Sequence, residues 1–559
     1  MTKPTKTCVA CRTRHVRCDG EQPCSRCAAS KSECLYVASQ RGKRRHAQQQ
    51  PEFPTDQDLN AILQGSNVSP ASCFDSCPEF APWALQDSSD ELMSMSNSLG
   101  VDLSPPTAPL FDMNWLPDPA SITTESCKQI DFAAGDVSIM PSESAMVETD
   151  RYLASFYRYA FAAHPFVLPH HDLLRLRDLH DSMRTVLAAM RWIGSLYVDV
   201  QPRLRSELYQ QAHDLIYDPR APRDGFLVQA MLLLLVGLDG NADQRKAREV
   251  LENAEQLAIE IGLHRASFAS LHGRGVPILE ESWRRTWWSL YSTEAMVTAA
   301  HRRTDFALCN VASDVGLPCE EDQYLSGDIP DPLSFDDLEA RGFATEELAF
   351  SSFAYLILSA HTLGFFLRKS RSIDHLDDGT QTEARLASWS LSLPANKRDA
   401  LRNDGQPDEI MFQALMMRHA ISIMVHEVHA KLDKLPAITV NHCMSLTAEI
   451  GAQPSDMHTF HAITSARAIS RMVMCHHSVV SHVHFFTCVV TLSSIVHLGR
   501  WALMPAGNGD HEALRELLRL NMGALKERSR VWKAAAISHE QVASVAKDLF
   551  RMKQRGAIR

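Results

Sequence analysis

Cys8, Cys11, Cys18, Cys24, Cys27 and Cys34 stand in the spacing C-x2-C-x6-C-x5-C-x2-C-x6-C, two C-x2-C clamps each followed by a further cysteine. Thiolates so spaced bind zinc. A structural site wants four sulfurs around a tetrahedral ion, and a tight backbone turn supplies two of them at x2 separation. Two separate four-sulfur sites would need more than these six cysteines, so two of them must be shared, which points to a binuclear cluster holding two Zn2+ ions. A disulfide framework is the competing chemistry. It needs an oxidising compartment, and residues 1–30 contain no apolar run resembling an export signal. A metal-buffering segment would lack the ordered basic residues Arg12, Arg14, His15 and Arg17 between the second and third cysteines. So short a segment cannot bury a core, and its folding free energy must come from metal binding, on the order of 10–16 kcal/mol in small finger peptides.

Charge separates the chain into regions that the net of −11 conceals. Residues 1–50 carry eleven Lys/Arg against three acids, and residues 51–150 carry seventeen acids against the single base Lys128. A local basic patch of this kind is a nucleic-acid footprint. The run Arg41, Lys43, Arg44 and Arg45 reads as a nuclear import signal, a phosphate-gripping arm, or both, with a solvated charge run as the plain alternative. Residues 47–145 read as a disordered acidic linker, rich in Ser, Pro, Asp and Met. Within it acids alternate with large apolar residues, most clearly around Phe111 and Trp115, which is the composition of an activation segment as well as of a plain spacer. No heptad repeat appears in residues 46–70, where Pro51 and Pro54 interrupt any long helix, so the chain is expected on DNA either alone or as a homodimer formed through its large domain.

Residues 8–36, CVACRTRHVRCDGEQPCSRCAASKSECLY, resemble the binuclear zinc-cluster DNA-binding domain of fungal transcription factors. The resemblance implies one ion on Cys8, Cys11, Cys18 and Cys24 and the other on Cys24, Cys27, Cys34 and Cys8, with Cys8 and Cys24 bridging. It also implies that Arg14 and His15 reach base edges at a CGG triplet. Arg is the best bidentate partner for guanine. His15 is a departure, because the family usually carries Lys or Arg there, and a neutral imidazole brings no full charge near pH 7. Arg12, Arg17, Arg26 and Lys31 then contact phosphates, which positions the module without specifying sequence.

The elements behind this module read as helices. From residue 146 to 559 the composition turns globular. Residues 246–262 place Ala247, Val250, Leu251, Ala254, Leu257, Ala258 and Ile261 on one stripe, with Gly262 as the stop. Residues 280–297 open with Glu280 and Glu281 at the positive helix end and set Trp283, Trp287, Leu290 and Tyr291 on one face. The apolar run 226–238 is too short to span a bilayer and reads as a buried helix interrupted by Gln229. The fold class is thus a small binuclear zinc-cluster module (residues 1–46, cluster 8–34), a disordered acidic linker (47–145) and a large all-α domain (146–559). The ordered segments FLVQAMLLLLVGL, AEQLAIEIGLHR, EESWRRTWWSLYSTE and DVGLPCEEDQY resemble the fungal-specific transcription factor domain, the middle homology region, a helical regulatory array.

Other residues invite chemistry and fail on spacing. Cys475, His476, His477, His482, His484, Cys488 and His497 lack a regular ligand period and read as ordinary core or surface residues. His426-Glu427-Val428-His429 is one residue short of the zinc-protease helix motif. Asp239, Asn241 and Asp243 imitate the start of a calcium loop without its Gly or closing Glu. There is no G-x-S-x-G, Walker loop or dinucleotide fingerprint, so no enzyme is expected. The eight remaining cysteines are scattered, as reduced intracellular thiols would be. The combined expectation is a nuclear, zinc-dependent, sequence-specific DNA-binding transcription factor of RNA polymerase II genes, working with coactivators and no membrane. It is read as an activator of a fungal secondary-metabolite gene cluster. Alternatives are a catabolic or stress regulator, a repressor, and, more remotely, a metabolite-binding helical protein whose cluster mediates protein contacts.

Overall fold

The computed structural model describes residues 17–21, 23–30, 34, 151–177, 181–301, 303, 306–341, 348–369, 378–402, 405–440, 455–474, 478–505 and 509–555. The segment expected to be a disordered linker therefore lies outside the described residues. The chain divides into two units, residues 1–134 and 135–559. In the first, the described secondary structure is one short helix, α1 (Ser25–Ala29).

The second unit is all-α: its described residues form no strand, only isolated bridges between Leu401 and Pro407 and between Ala430 and Ser455. Its main helices are α2 (Arg151–Tyr159), α3 (Met183–Ser195), α4 (Gly225–Gly240), α5 (Gln244–Glu260), α6 (Pro277–Ala300), α7 (Ser352–Lys369), α8 (Asp378–Leu391), α9 (Glu409–His426), α10 (Asp456–Met472), α11 (Phe486–Leu503), α12 (Gly509–Arg528) and α13 (Lys533–Gln554). Packing follows chain order. The series α2, α3, α4, α5 stacks neighbour on neighbour, as does α6, α7, α9, α10, α11, and α13 returns to touch α4. Gly194 permits the closest of these approaches, because a Cβ there would lie 1.9 Å from the Tyr152 carbonyl oxygen.

Local sequence sets several of these boundaries. Asp224 caps α4 by accepting hydrogen bonds from the amides of Phe226 and Leu227 at 3.0 and 3.1 Å, satisfying donors that a helix start leaves open. Helix α5 buries Ala247, Val250, Leu251, Ala254, Leu257 and Ala258, the expected stripe, and stops before Gly262, whose φ of +78° favours glycine. Helix α4 is buried on every face. Its Gln229 is anchored inside: the side-chain nitrogen lies 2.8–3.0 Å from the Phe166 carbonyl and the Ser282 and Thr286 hydroxyls, which share its two hydrogens. Helix α11 is long and apolar enough to cross a membrane by composition, yet 89% of that window is buried inside the domain, as in a core helix.

Helix α6 corrects the one-face expectation. Neighbours surround it, so polar positions are buried along with Trp283 and Trp287. Glu281 is not an exposed dipole-compensating acid. Its carboxylate accepts from Arg284 and Arg285, both at 2.9 Å, and from the Cys319 amide. Arg285 is fully buried, reaches Glu321 at 2.5 Å and the Cys319 carbonyl at 2.8 Å, and lies 4.0 Å over the Tyr324 ring. Buried charges so paired and hydrogen-bonded fix one arrangement of helices, since removing one partner leaves the other uncompensated.

Candidate zinc cluster and nucleic-acid interface

Four of the six expected metal ligands are described. Cys24 and Cys27 are buried, and Cys18 and Cys34 are half-buried. The sulfurs of Cys24, Cys27 and Cys34 lie within 4.8 Å of one another, and those of Cys18 and Cys24, with an Asp19 oxygen, form a second group within the same limit. Cys24 belongs to both. Sulfurs about 2.3 Å from a tetrahedral zinc ion sit roughly 3.8 Å apart, so these positions suit the metal.

Backbone groups organise the sulfurs. Cys24 is extended and caps α1, its sulfur accepting from the Cys27 amide at 3.4 Å, while its own amide donates to the Cys34 sulfur at 3.2 Å. Amide donors aimed at sulfur stabilise the thiolate form that a metal requires. Gly20, at φ +87°, turns the chain sharply between Cys18 and Cys24. Asp19 then reaches across to α1, accepting from the Ser25 amide at 2.8 Å and from the Ser25 hydroxyl, and also from the Glu21 amide. These hydrogen bonds, led by the Ser25 hydroxyl, hold the Asp19 carboxyl below the usual carboxylate range. Asp19 is therefore a scaffold residue that the sequence reading missed; the Asp-Gly pair ahead of a capped helix was its signal.

Arg17 and Arg26 are exposed, flanking the cluster where phosphate contacts were expected. Cys8, Cys11, Arg12, Arg14, His15, Lys31, Arg41, Lys43, Arg44, Arg45, Phe111 and Trp115 lie outside the described residues.

In the helical unit the tempting histidines are mostly occupied by protein partners. His482 stacks on Phe412 at 3.8 Å and bonds Glu409 at 2.6 Å. His497 contacts Ser470 at 3.0 Å. Asp239, the residue that imitated a calcium loop, is buried between His301 at 2.6 Å and His484 at 2.9 Å, and Asp243 caps α5 by accepting from Lys246. Burial alone would raise the Asp239 carboxyl, but hydrogen bonds from the two histidines overcome it and hold the group below the usual range. Arg528, fully buried on α12, gathers the carbonyls of Val479, Val483 and His484 at 2.6–3.1 Å. Cys475, His476 and His477 lie outside the described residues.

Comparison with known proteins agrees with this division. Residues 6–44 match the fungal Zn(2)-Cys(6) binuclear cluster domain, and residues 183–390 match the fungal specific transcription factor domain. The C6 finger domain transcription factor iacK of Pestalotiopsis fici is 42% identical over 549 residues, spanning 98% of this chain and 81% of that protein. The fumonisin cluster-specific transcription factor FUM21 of Gibberella moniliformis is 32% identical over 95 residues, 16% of this chain and 14% of its own. The cutinase transcription factor 1 beta of Fusarium vanettenii is 23% identical over 376 residues, 54% of this chain and 42% of its own. No solved structure matches.

Proposed function

This chain belongs to the fungal Zn2Cys6 transcription factors that carry a fungal specific transcription factor domain, and on that premise we propose that residues 1–46 bind two zinc ions and read duplex DNA in the nucleus. The observation that carries the proposal is the placement of Cys24 in both sulfur groups, because sharing is what lets six thiolates serve two ions. Cys24, Cys27 and Cys34 would hold one ion. Cys18 and Cys24, with Cys11, would hold the other, and Cys8 would be the second shared ligand. The metal supplies folding energy and a fixed shape, not chemistry. The residues that act on DNA are this chain's own: Arg14 and His15 at base edges, with Arg12, Arg17, Arg26 and Lys31 on phosphates. The basic run Arg41, Lys43, Arg44 and Arg45 supports both nuclear import and backbone contact. The helical unit, which matches the fungal specific transcription factor domain, would control output and pair two copies.

Affinity measured against salt separates these roles. Arg17→Ala should lower the slope of log K against log salt by about 0.9, the effect of one released phosphate contact, equally on cognate and scrambled duplex. Arg14→Ala should cost about 1–3 kcal/mol on a CGG duplex and little on a scrambled one. Unchanged affinity and slope in both variants would remove the DNA-reading assignment.

The acidic, aromatic composition of residues 47–145 favours activation over repression. Fused to an unrelated DNA-binding domain, that segment should raise reporter output, and Phe111→Ala with Trp115→Ala should lower it again; a fusion without output argues for repression. Control of a secondary-metabolite cluster is the preferred pathway, supported by the named role of the fumonisin relative. The cutinase relative supports a catabolic role. Transcript profiles of a strain lacking the gene should show loss confined to neighbouring biosynthetic genes, and a response limited to catabolic genes would reverse the preference.

A further inference from the structure

Four histidines and a carboxylate meet where α8, α9 and α10 pack together. His426 ends α9, and its Nδ1 lies 2.9 Å from Nδ1 of His458 on α10 and 3.4 Å from Oε1 of Glu383 on α8. These three donor atoms all fall within 4.8 Å of one another. His461 stacks on the His426 ring with centroids 4.6 Å apart and planes 16° from parallel, and His429 packs on His458 at 5.0 Å.

Two imidazole nitrogens facing each other beside a carboxylate form an unusual hydrogen-bonding arrangement. One N–H can join the two rings, but the same His426 nitrogen cannot also donate to Glu383. A single divalent ion satisfies all three lone pairs together. Donors 2.0–2.1 Å from a tetrahedral ion sit about 3.3–3.4 Å apart, so the 3.4 Å separation already fits, and the 2.9 Å one needs only a small opening of the rings. Two imidazoles with one carboxylate suit zinc and its neighbours in the transition series, and suit magnesium or calcium poorly, since those ions want oxygen donors. The His426 side chain is 3% exposed and the Glu383 side chain 40%, which gives the site a dry wall and an entry path.

We propose that Glu383, His426 and His458 bind one Zn2+ ion, separate from the cysteine cluster, that fastens α8 to α9 and α10. His461 and His429 brace the two ligating rings. The sequence carried the trace of this site as His-x2-His at 426–429 and again at 458–461. Neither spacing matches a metalloenzyme motif; the ligands come together only through helix packing.

The test uses the full chain, loaded with Zn2+ and dialysed, with metal counted by plasma mass spectrometry. Wild type should retain one ion more per chain than His458→Gln. Glu383→Gln, at a half-exposed position, should keep its helical circular dichroism and weaken zinc binding at this site at least about 100-fold, a loss larger than supporting residues cause. In the cobalt-substituted protein both variants should lose the visible bands of this site while the visible and charge-transfer bands of the thiolate cluster persist. Zn2+ should raise the melting temperature of wild type and not of His458→Gln. Equal zinc content in wild type and both variants, or equal stabilisation by Mg2+, overturns the site.

Discussion

Cys24→Ser should strip two zinc ions from the chain and abolish sequence-specific DNA binding, although it replaces one atom. The sulfur of Cys24 lies with Cys27 and Cys34 on one side and with Cys18 on the other, so its loss reaches both ions. It also removes the acceptor for the Cys27 amide at the start of α1. Structural zinc in peptides of this size contributes on the order of 10–16 kcal/mol, and the segment has no core to substitute for it. Asp19→Ala is the contrasting case. It cuts hydrogen bonds to Ser25 and Glu21 but no cysteine ligand, so it should loosen the turn ahead of α1 with zinc retained. Metal counts on the two purified variants decide the matter: full zinc content in Cys24→Ser would contradict a shared ligand. Any ion that Cys24→Ser keeps should in turn be lost with His458→Gln, which separates the cluster from the helical site.

Lowering the pH from 7 to 5 should weaken the helical unit through its buried histidines. Burial, helped by neighbouring charges, pushes His164 down to about 3, and likewise His497, both inside the core. Their folded-state values lie below the unfolded value near 6.5, so the unfolded chain takes up protons first and stability falls as pH drops below about 6.5. Each histidine then costs up to about 1.4 kcal/mol per pH unit, or roughly 3 kcal/mol for the two between pH 6.5 and 5. That is a large part of a domain stability of about 5–15 kcal/mol. Asp239 acts in the same direction later: its depressed carboxyl contributes above the unfolded value near 3.9 and is lost only as pH falls further. Urea midpoints at pH 7 and pH 5 measure the effect. His497→Leu should make the midpoint less sensitive to this pH change, whereas an unchanged sensitivity in that variant would show that His497 is not held neutral.

The sequence revealed features that are repeated or local. Six cysteines declare a metal module because ligand spacing is a covalent property of the chain, and the stripe of α5 shows one interface because only one side of that helix meets the core. Helix α6 hid its surroundings for the opposite reason: with neighbours on all sides its burial loses the helical period, and Glu281 looked like a surface acid. Pairings across long separations left no periodic trace either. Asp239 meets His484 across 245 residues, and His426 meets His458 across 32, through packing that no local spacing encodes. The same residues were visible as a broken calcium loop and a broken protease motif. Their chemistry was present; the partners were not.

Selection from a random duplex pool by the full chain, with zinc present and again after chelation, tests the central claim most directly. The account predicts enrichment of a CGG-containing element that vanishes when zinc is removed. No enriched element, or one that survives chelation unchanged, would contradict it.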